Sequence, residues 1–128
     1  MLEKNVSNSE WYVLECLWES APKTLMQIVE ECREKAGWAK STTATMVKRM
    51  GEKGLIRYDE SGKAKLFYPL VKRENVAIRQ TREFLQRIYH GSVGIMMNTL
   101  AKQDSLTEKD LQELEEFLEQ CRTEKNNK

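Results

Sequence analysis

Apolar residues recur at helical spacing in the first third of the chain and predict two amphipathic helices. The first helix is expected to begin at Ser7 or Ser9, and Glu10 can complete a capping box with Ser7. Pro22 cannot continue a helix, and Thr24 is a suitable cap for the next one. The apolar stripe of the first helix comprises Trp11, Leu14, Cys16, Leu17 and Trp18. That of the second helix comprises Leu25, Ile28, Val29 and Cys32.

A third helix is predicted over residues 40–53, and its polar face differs from those of the first two. Gly37 ends the helix before it, and Gly54 ends the helix itself. Its inward stripe is expected to comprise Met46, Val47 and Met50. Hydroxyls and cations occupy positions off this stripe, namely Thr42, Thr45, Lys48 and Arg49. Such an outer face is suited to a groove of DNA.

Two short runs rich in β-branched and aromatic residues, 55–60 and 65–70, follow the third helix and predict two strands. Ser61 and Gly62 between them are a turn signal, so the strands are expected to form a hairpin. Three helices followed by a hairpin are typical of a winged helix-turn-helix domain, expected here over residues 1–72. The predicted fold class is therefore mainly α with a small β-hairpin.

Beyond Pro69 the chain is predicted to form helices whose apolar stripes have no partner in the core of the winged helix. We expect a C-terminal helical dimerisation region over residues 73–123 and a disordered tail over residues 124–128. A C₂ dimer would cover these stripes, because one patch is then self-complementary. Packing onto the winged helix of the same chain is the alternative. The expected dimerisation residues are Phe84, Leu85, Ile88, Met96, Leu100, Leu111, Leu114 and Leu118.

Charge is distributed unevenly along a chain whose formal net charge is only +1. Nine basic and three acidic residues between Lys40 and Arg73 give this segment a charge of +6. Seven acidic residues and one basic residue between Gln103 and Cys121 give a charge of −6. A basic patch on one module is the electrostatic signature of nucleic-acid binding. Two solvated faces of opposite sign are the alternative interpretation.

The sequence offers little that an enzyme or a metalloprotein requires. His90 is the single histidine, and Cys16, Cys32 and Cys121 lie far apart, without the spacing of metal ligands. We therefore expect no catalytic residues, no metal and no cofactor. No apolar run approaches the roughly 18 residues of a membrane-spanning helix, and the N-terminus lacks the profile of a signal peptide. These features predict a cytoplasmic protein without membrane insertion.

Several segments together resemble the penicillinase-repressor (BlaI/MecI/CopY) family of bacterial transcriptional regulators. The segments are EWYVLECLW at 10–18, TLMQIVE at 24–30, TTATMVKRMGEKGLI at 42–56, FYPLV at 67–71 and LTEKDLQELEEFL at 106–118. The resemblance covers almost the full length. It implies a homodimeric winged-helix repressor that binds a palindromic operator in double-stranded DNA and dimerises through its C-terminal helices.

The resemblance also implies a route to induction. In regulators of antibiotic resistance a sensor-linked protease triggers a cut in the C-terminal region, which by position falls near Asn98 and Thr99. The family pattern has an aromatic residue where this chain has Thr99. The copper-responsive branch carries paired CxC motifs, whereas this chain has only Cys121 in that region, so no copper site is expected. Ala39 replaces a usual serine, so the cap of the third helix is expected to shift to Ser41 or to be lost.

A recognition helix of this kind places its N-terminal residues against base edges in the major groove. Threonine offers a hydroxyl to a base or phosphate and a methyl group to thymine, although it can instead bond a carbonyl one turn back. Lys48 and Arg49 are suited to phosphates, and Arg49 also to guanine, unless they pair with Glu52. Lys63 and Lys65 are expected to contact DNA from the hairpin. The expected DNA-binding residues are Lys40, Ser41, Thr42, Thr45, Lys48, Arg49, Lys63 and Lys65.

Two other functions stay open from the sequence. The first is a winged helix used for protein–protein contact without an operator, which salt-sensitive DNA binding would exclude. The second is a ligand- or redox-gated regulator with Cys16 or Cys32 as its sensor. Labelling of the thiols in the native state would test the second alternative.

Overall fold

The computed structural model describes residues 5–60 and 62–127, and within them it confirms the predicted class, mainly α with a β-hairpin. The predicted turn residue Ser61 lies outside the described residues. No helix in these ranges is long and apolar enough to cross a membrane. The elements are α1 (Asn8–Glu19), α2 (Leu25–Ala36), α3 (Lys40–Lys53), β1 (Ile56–Asp59), β2 (Leu66–Pro69), α4 (Arg73–Tyr89), α5 (Val93–Lys102) and α6 (Glu108–Asn126).

Local signals fix the ends of the first two helices as the sequence predicted. Ser7 caps α1 in a capping box with Glu10, and Thr24 caps α2 in the same way with Gln27. The backbone at Gly37 is left-handed, with a φ of 70°, and ends α2 without the steric cost of a Cβ atom. Because only a short turn separates α2 from α3, these local signals produce the helix-turn-helix arrangement.

The hairpin is tied to the helices by a short bridge on its second strand. β1 and β2 are antiparallel, with Tyr58 opposite Phe67 and Arg57 opposite Tyr68. Lys23, just before α2, exchanges two backbone hydrogen bonds with Phe67, with N–O distances of 3.2 and 2.8 Å. β2 therefore lies between β1 and the segment that precedes α2. This backbone pairing fixes the position of the hairpin relative to α2.

The core of the winged helix lies where α1, α2, α3 and the hairpin meet. The indole N–H of Trp18 donates a hydrogen bond of 2.9 Å to the carbonyl of Val71, which fixes the chain after β2 against α1. Cys16 and Cys32 are completely buried and occupy core positions as small apolar residues. The buried cluster comprises Val13, Leu14, Cys16, Leu17, Ile28, Cys32, Val47, Met50, Leu55, Ile56 and Phe67.

The chain divides into two compact units between Gln80 and Thr81, later than the boundary predicted at residue 72. The first half of α4 belongs to the first unit because Val76 is buried there. In addition, the side-chain amide of Gln80 donates to the carbonyl of Val6 at 2.7 Å. Because α4 continues across this boundary, the sequence contains no helix-ending signal that would mark it.

The second unit contains the end of α4 with α5 and α6, and none of its described residues is buried. Thr107 caps α6 in a capping box with Asp110. α6 continues through residues 124–126, within the segment 124–128 that was expected to be a disordered tail, and Lys128 lies outside the described residues. The reason is that this segment contains no glycine or proline to end α6.

Candidate nucleic-acid interface

The rotation of α3 is fixed by three buried residues and leaves the predicted DNA-binding positions exposed. Thr43, Val47 and Met50 are buried at the spacing i, i+4, i+7 of one helix face. The predicted inward stripe was therefore right for Val47 and Met50, whereas Met46 is only partly buried at its edge. The exposed residues of α3 include Lys40, Ser41, Thr42, Thr45, Lys48 and Arg49.

Thr43 was not predicted to face inward because its side chain is polar. The side chain is completely buried, and its Oγ1 atom has no hydrogen-bond partner among the described residues. The methyl group of threonine supplies the packing at this position, while the hydroxyl loses its contact with water. No sequence signal distinguishes this threonine from Thr42 or Thr45 except the helical phase set by Val47 and Met50.

The hydroxyls on the outer face of α3 are available to a partner. Neither Thr42 nor Thr45 donates to a carbonyl one turn back in the part of the chain that is described, whereas Thr99 donates to Ile95 in this way at 2.9 Å. The backbone of Ala39 is the N-cap of α3, and no side-chain cap bond is formed there. The predicted shift of the cap to Ser41 was therefore wrong, and the other predicted outcome, loss of the side-chain cap, is confirmed.

The cations on the outer face of α3 are also free of ion pairs. Within the described residues Lys48 and Arg49 form no salt bridge, so the alternative pairing with Glu52 is absent. By contrast, Lys53 on the flank of the helix pairs with Glu10 at 2.9 Å. Unpaired cations beside free hydroxyls form a surface that can bind phosphates and base edges.

The hairpin adds cations that are held against aromatic rings. Lys65 lies 4.4 Å above the centre of the Tyr58 ring, and its Nζ is 3.8 Å from a carboxylate oxygen of Glu60. Arg57 was not among the predicted residues, and its guanidinium lies 4.2 Å above the ring of Tyr68 on the opposite strand. The signal that could have found Arg57 is its register opposite an aromatic residue, since such pairs orient a cation across a hairpin. Lys63, also predicted to contact DNA, is exposed near the turn of the hairpin.

A cleft of about 970 Å³ separates α3 from the hairpin. Lys48 lies on the α3 wall, and Arg57 and Lys65 lie on the hairpin wall. Most of the remaining surface of the cleft is apolar and includes Met26 and Leu70. Lys48 and Lys65 thus border the same cleft. Other predicted DNA-binding residues of α3 line a separate, smaller depression, namely Ser41, Thr42, Thr45 and Arg49.

The two buried thiols contact each other and not solvent. Their mutual hydrogen bond, together with burial, raises the pKa of Cys16 well above its usual range. The same hydrogen bond lowers the pKa of Cys32. Because both residues are completely buried, the surface-exposed thiolate that a redox sensor requires is absent at these two positions. Within the described residues no cluster of three or more histidine, cysteine or acidic side chains could hold a metal ion.

Comparison with known proteins identifies a family that spans most of the chain. The sequence model of the penicillinase repressor family matches residues 6–120. The methicillin resistance regulatory protein MecI of Staphylococcus aureus (strain N315) is 23% identical over 113 residues, which cover 88% of this chain and 92% of MecI. The penicillinase repressor of Bacillus licheniformis is 22% identical over 120 residues, which cover 94% of each chain.

Solved structures with a similar fold match the winged-helix part of the chain. The DNA-binding domain of the repressor BlaI, solved in solution, has a TM-score of 0.51 at 20% identity and covers 59% of this chain and 93% of that domain. Monomeric Bacillus licheniformis BlaI in complex with the blaP half-operator also has a TM-score of 0.51, at 20% identity. It covers 56% of this chain and 87% of that one. These similarities confirm the winged-helix fold.

Proposed function

Because the chain belongs to the penicillinase repressor family, we propose that it represses transcription by binding a palindromic operator as a homodimer. The observation that carries this proposal is the outer face of α3, where hydroxyls and cations are exposed and have no side-chain partner within residues 5–60 and 62–127. A helix-turn-helix protein places this face in the major groove. One relative is a penicillinase repressor and another is a methicillin resistance regulatory protein, and we infer no catalytic role for this chain.

The residues of α3 divide into two roles in this proposal. Those of the first turns contact base edges, with Thr45 offering both a hydroxyl and a methyl group. Lys48 and Arg49 contact phosphates, and Arg49 can also donate two hydrogen bonds to guanine. Phosphate contacts set affinity and register, whereas base contacts set the sequence. The base-contacting residues are Lys40, Ser41, Thr42 and Thr45.

In this proposal the hairpin contacts DNA beside the bases that α3 contacts. Lys63 and Lys65 contact the DNA backbone or the adjacent minor groove, and Arg57 joins them because it projects from the same hairpin. Each phosphate neutralised releases counterions, so operator affinity falls steeply as salt rises. The ring contacts of Arg57 and Lys65 reduce the freedom that these side chains lose on binding.

The homodimer is supported by apolar side chains that the second unit leaves exposed. Phe84, Ile88, Leu111 and Leu118 are exposed by 44%, 46%, 41% and 56%. Leu85, Met96, Leu100 and Leu114 are only partly covered. A two-fold axis would bring this surface against its own copy and orient two α3 helices toward two half-sites.

Induction follows from loss of the dimer. A sensor-linked protease that cuts near Asn98 and Thr99 would separate α6 from the rest of the chain. Both residues are exposed on α5, and the hydroxyl of Thr99 bonds to the carbonyl of Ile95 within the helix. Because proteases require an extended backbone, α5 must open locally before the cut.

Selection of bound sequences from random duplex DNA, with the purified full chain at about physiological salt, tests the proposed function. We expect a palindrome with two equal half-sites. An Arg49→Gln variant should lose affinity for the selected palindrome, whereas the matched Arg33→Gln variant on α2 should not. Recovery of no common sequence would contradict the proposal and would favour the protein-contact alternative.

A further inference from the structure

The cleft between α3 and the hairpin has an apolar surface that contact with DNA does not explain. Three large apolar side chains of its wall, Met26, Tyr58 and Leu70, are exposed by 48%, 49% and 52%. Phosphates and most base edges are polar, so an operator gives no reason for such a wall. The cleft volume of about 970 Å³ lies within the range of small-molecule sites, roughly 300–1,000 Å³.

Two cations, Lys48 and Lys65, face each other across the polar part of the lining. Lys48 forms no ion pair in the described ranges. Lys65 is held on the opposite wall by its contact with Tyr58, whereas the guanidinium of Arg57 stacks on Tyr68, on the other face of the hairpin. Glu52 is the acidic residue of the lining, and the hydroxyl of Thr24 already accepts a hydrogen bond within its capping box. A ligand that fits this lining is therefore apolar along its body and negative at one end.

We propose that the cleft binds an amphipathic organic anion, a molecule with a hydrocarbon body and a single carboxylate. The body lies along Met26, Tyr58 and Leu70 and removes their exposed surface from water. The carboxylate lies between the cations of the two walls. Its occupation withdraws Lys48 and Lys65 from the operator, so ligand and DNA compete. The binding of the anion is independent of the proposed function, whereas the competition rests on it.

Titration of the DNA-free full chain with dodecanoate, followed by amide NMR shifts and calorimetry, tests the binding site. We expect saturable binding at one site, with shifts concentrated on α3, the start of α2 and the hairpin. Met26→Ser should weaken binding about three- to tenfold, because half of this side chain is left to be covered by the ligand. Ile78→Ser is the matched control, since Ile78 is 47% exposed on α4 and lies outside the cleft. 1-Dodecanol, which lacks the charge, should bind more weakly.

Absence of saturable binding, or an equal loss in both variants, would overturn the proposal. Equal affinity for dodecanoate and 1-dodecanol would overturn the role of the cations. Binding of an acidic amphipathic peptide but not of dodecanoate would assign the cleft to a protein partner and would also overturn it.

Competition is measured separately, with the selected operator. Dodecanoate should release the operator from the wild-type chain at lower concentrations than from Met26→Ser. If dodecanoate binds but the operator stays bound, the proposed competition between the anion and the operator is wrong. If no operator sequence is found, the proposed function fails while the binding result stands.

Discussion

The two compact units of the chain differ in how they cover their apolar side chains. The first unit buries eleven residues from three helices and the hairpin in one cluster. In the second unit no described residue is buried, and Ile95, Phe117 and Leu118 are exposed by 57%, 59% and 56%. Apolar burial is the main favourable term in folding. We infer that the first unit is stable through its own core, whereas the second requires another surface.

This difference separates two tasks within one chain. The self-contained core holds α3 at a fixed rotation, so that polar groups can face outward without loss of stability. The uncovered helices can serve for association and can be released by a modest change at their surface. In the proposed function, the first unit binds DNA and the second unit is the place where repression is controlled.

The largest expected effect comes from charge placed on the exposed apolar stripe of α6. Leu111→Asp together with Leu114→Asp should give a monomer, because two charges cannot be buried against a second copy. Operator affinity should fall about 10²- to 10⁴-fold once the half-sites are bound separately. Sedimentation velocity and operator titration measure the two effects.

The control for this variant adds the same charge away from the stripe. Gln112→Asp together with Gln120→Asp changes two exposed residues of α6 and should leave the dimer intact. A Leu111 and Leu114 double variant that stays dimeric and binds the operator normally would show that the interface lies elsewhere.

The next effect compares a buried leucine of the first unit with an exposed one of the second. Leu14→Ala should lower the free energy of unfolding by about 2–5 kcal/mol, because it leaves a cavity in the core. Leu118→Ala should change the free energy of unfolding of the monomer by less than about 0.5 kcal/mol. Urea unfolding at low protein concentration measures both. Equal losses in the free energy of unfolding would mean that the second unit buries its apolar side chains as the first unit does.

A smaller, pH-dependent effect concerns the ion pair that joins α1 to α3. Burial alone would raise the pKa of Glu10, but hydrogen bonds from Ser7 and the contact with Lys53 outweigh it and leave the pKa below its usual 4.5. The folded chain therefore holds fewer protons, and the resulting stability is present above pH 4.5 and lost as the pH falls through the folded pKa. Glu10→Gln should cost about 1 kcal/mol near neutral pH.

The same variant should also change the pH profile. The free energy of unfolding of Glu10→Gln should fall less steeply than that of the wild type as acid is added, and Glu34→Gln, an exposed change on α2, should follow the wild type. Urea unfolding at several pH values between roughly 3 and 6 provides the comparison. If the free energies of unfolding of the wild type and of Glu10→Gln changed in parallel with pH, the lowered pKa of Glu10 would be contradicted.

The smallest expected effect on stability separates the inner and outer threonines of α3. Thr43→Val should change the free energy of unfolding by less than about 0.5 kcal/mol, because a buried hydroxyl without a partner is replaced by a methyl group of similar shape. Thr45→Val should leave stability unchanged but weaken operator binding about two- to tenfold through one lost hydrogen bond. Thermal unfolding and operator titration distinguish the two. A loss of more than about 1 kcal/mol in Thr43→Val would show that its hydroxyl is paired.

The parts of the fold that were predictable from the sequence are those set by local signals. The capping boxes of Ser7 and Thr107 and the left-handed Gly37 depend on neighbours a few residues away. The boundary at Gln80 was missed because tertiary packing decides it, and the inward side chain of Thr43 was missed because its polarity outweighed its phase with Val47 and Met50. The sequence cannot distinguish a threonine that faces the core from one that faces solvent until the helical phase is known.

The candidate site was predictable in its composition but not in its surroundings. The exposed threonines and cations of α3 followed from the apolar stripe, since they lie off it. Arg57 was missed because its position depends on the register of the hairpin. The apolar cleft was missed because Met26 and Leu70 come from segments distant in sequence. Contacts with DNA stay predictions for every residue of the site.

The most direct test of the account is the stoichiometry of the full chain on the selected palindrome and on its isolated half-site, measured by sedimentation velocity. We expect a free protein of twice the chain mass and two chains bound together on the palindrome, with much weaker binding to the half-site. A monomer in solution that binds the palindrome one chain at a time, with equal affinity for each half, would contradict the proposed homodimer.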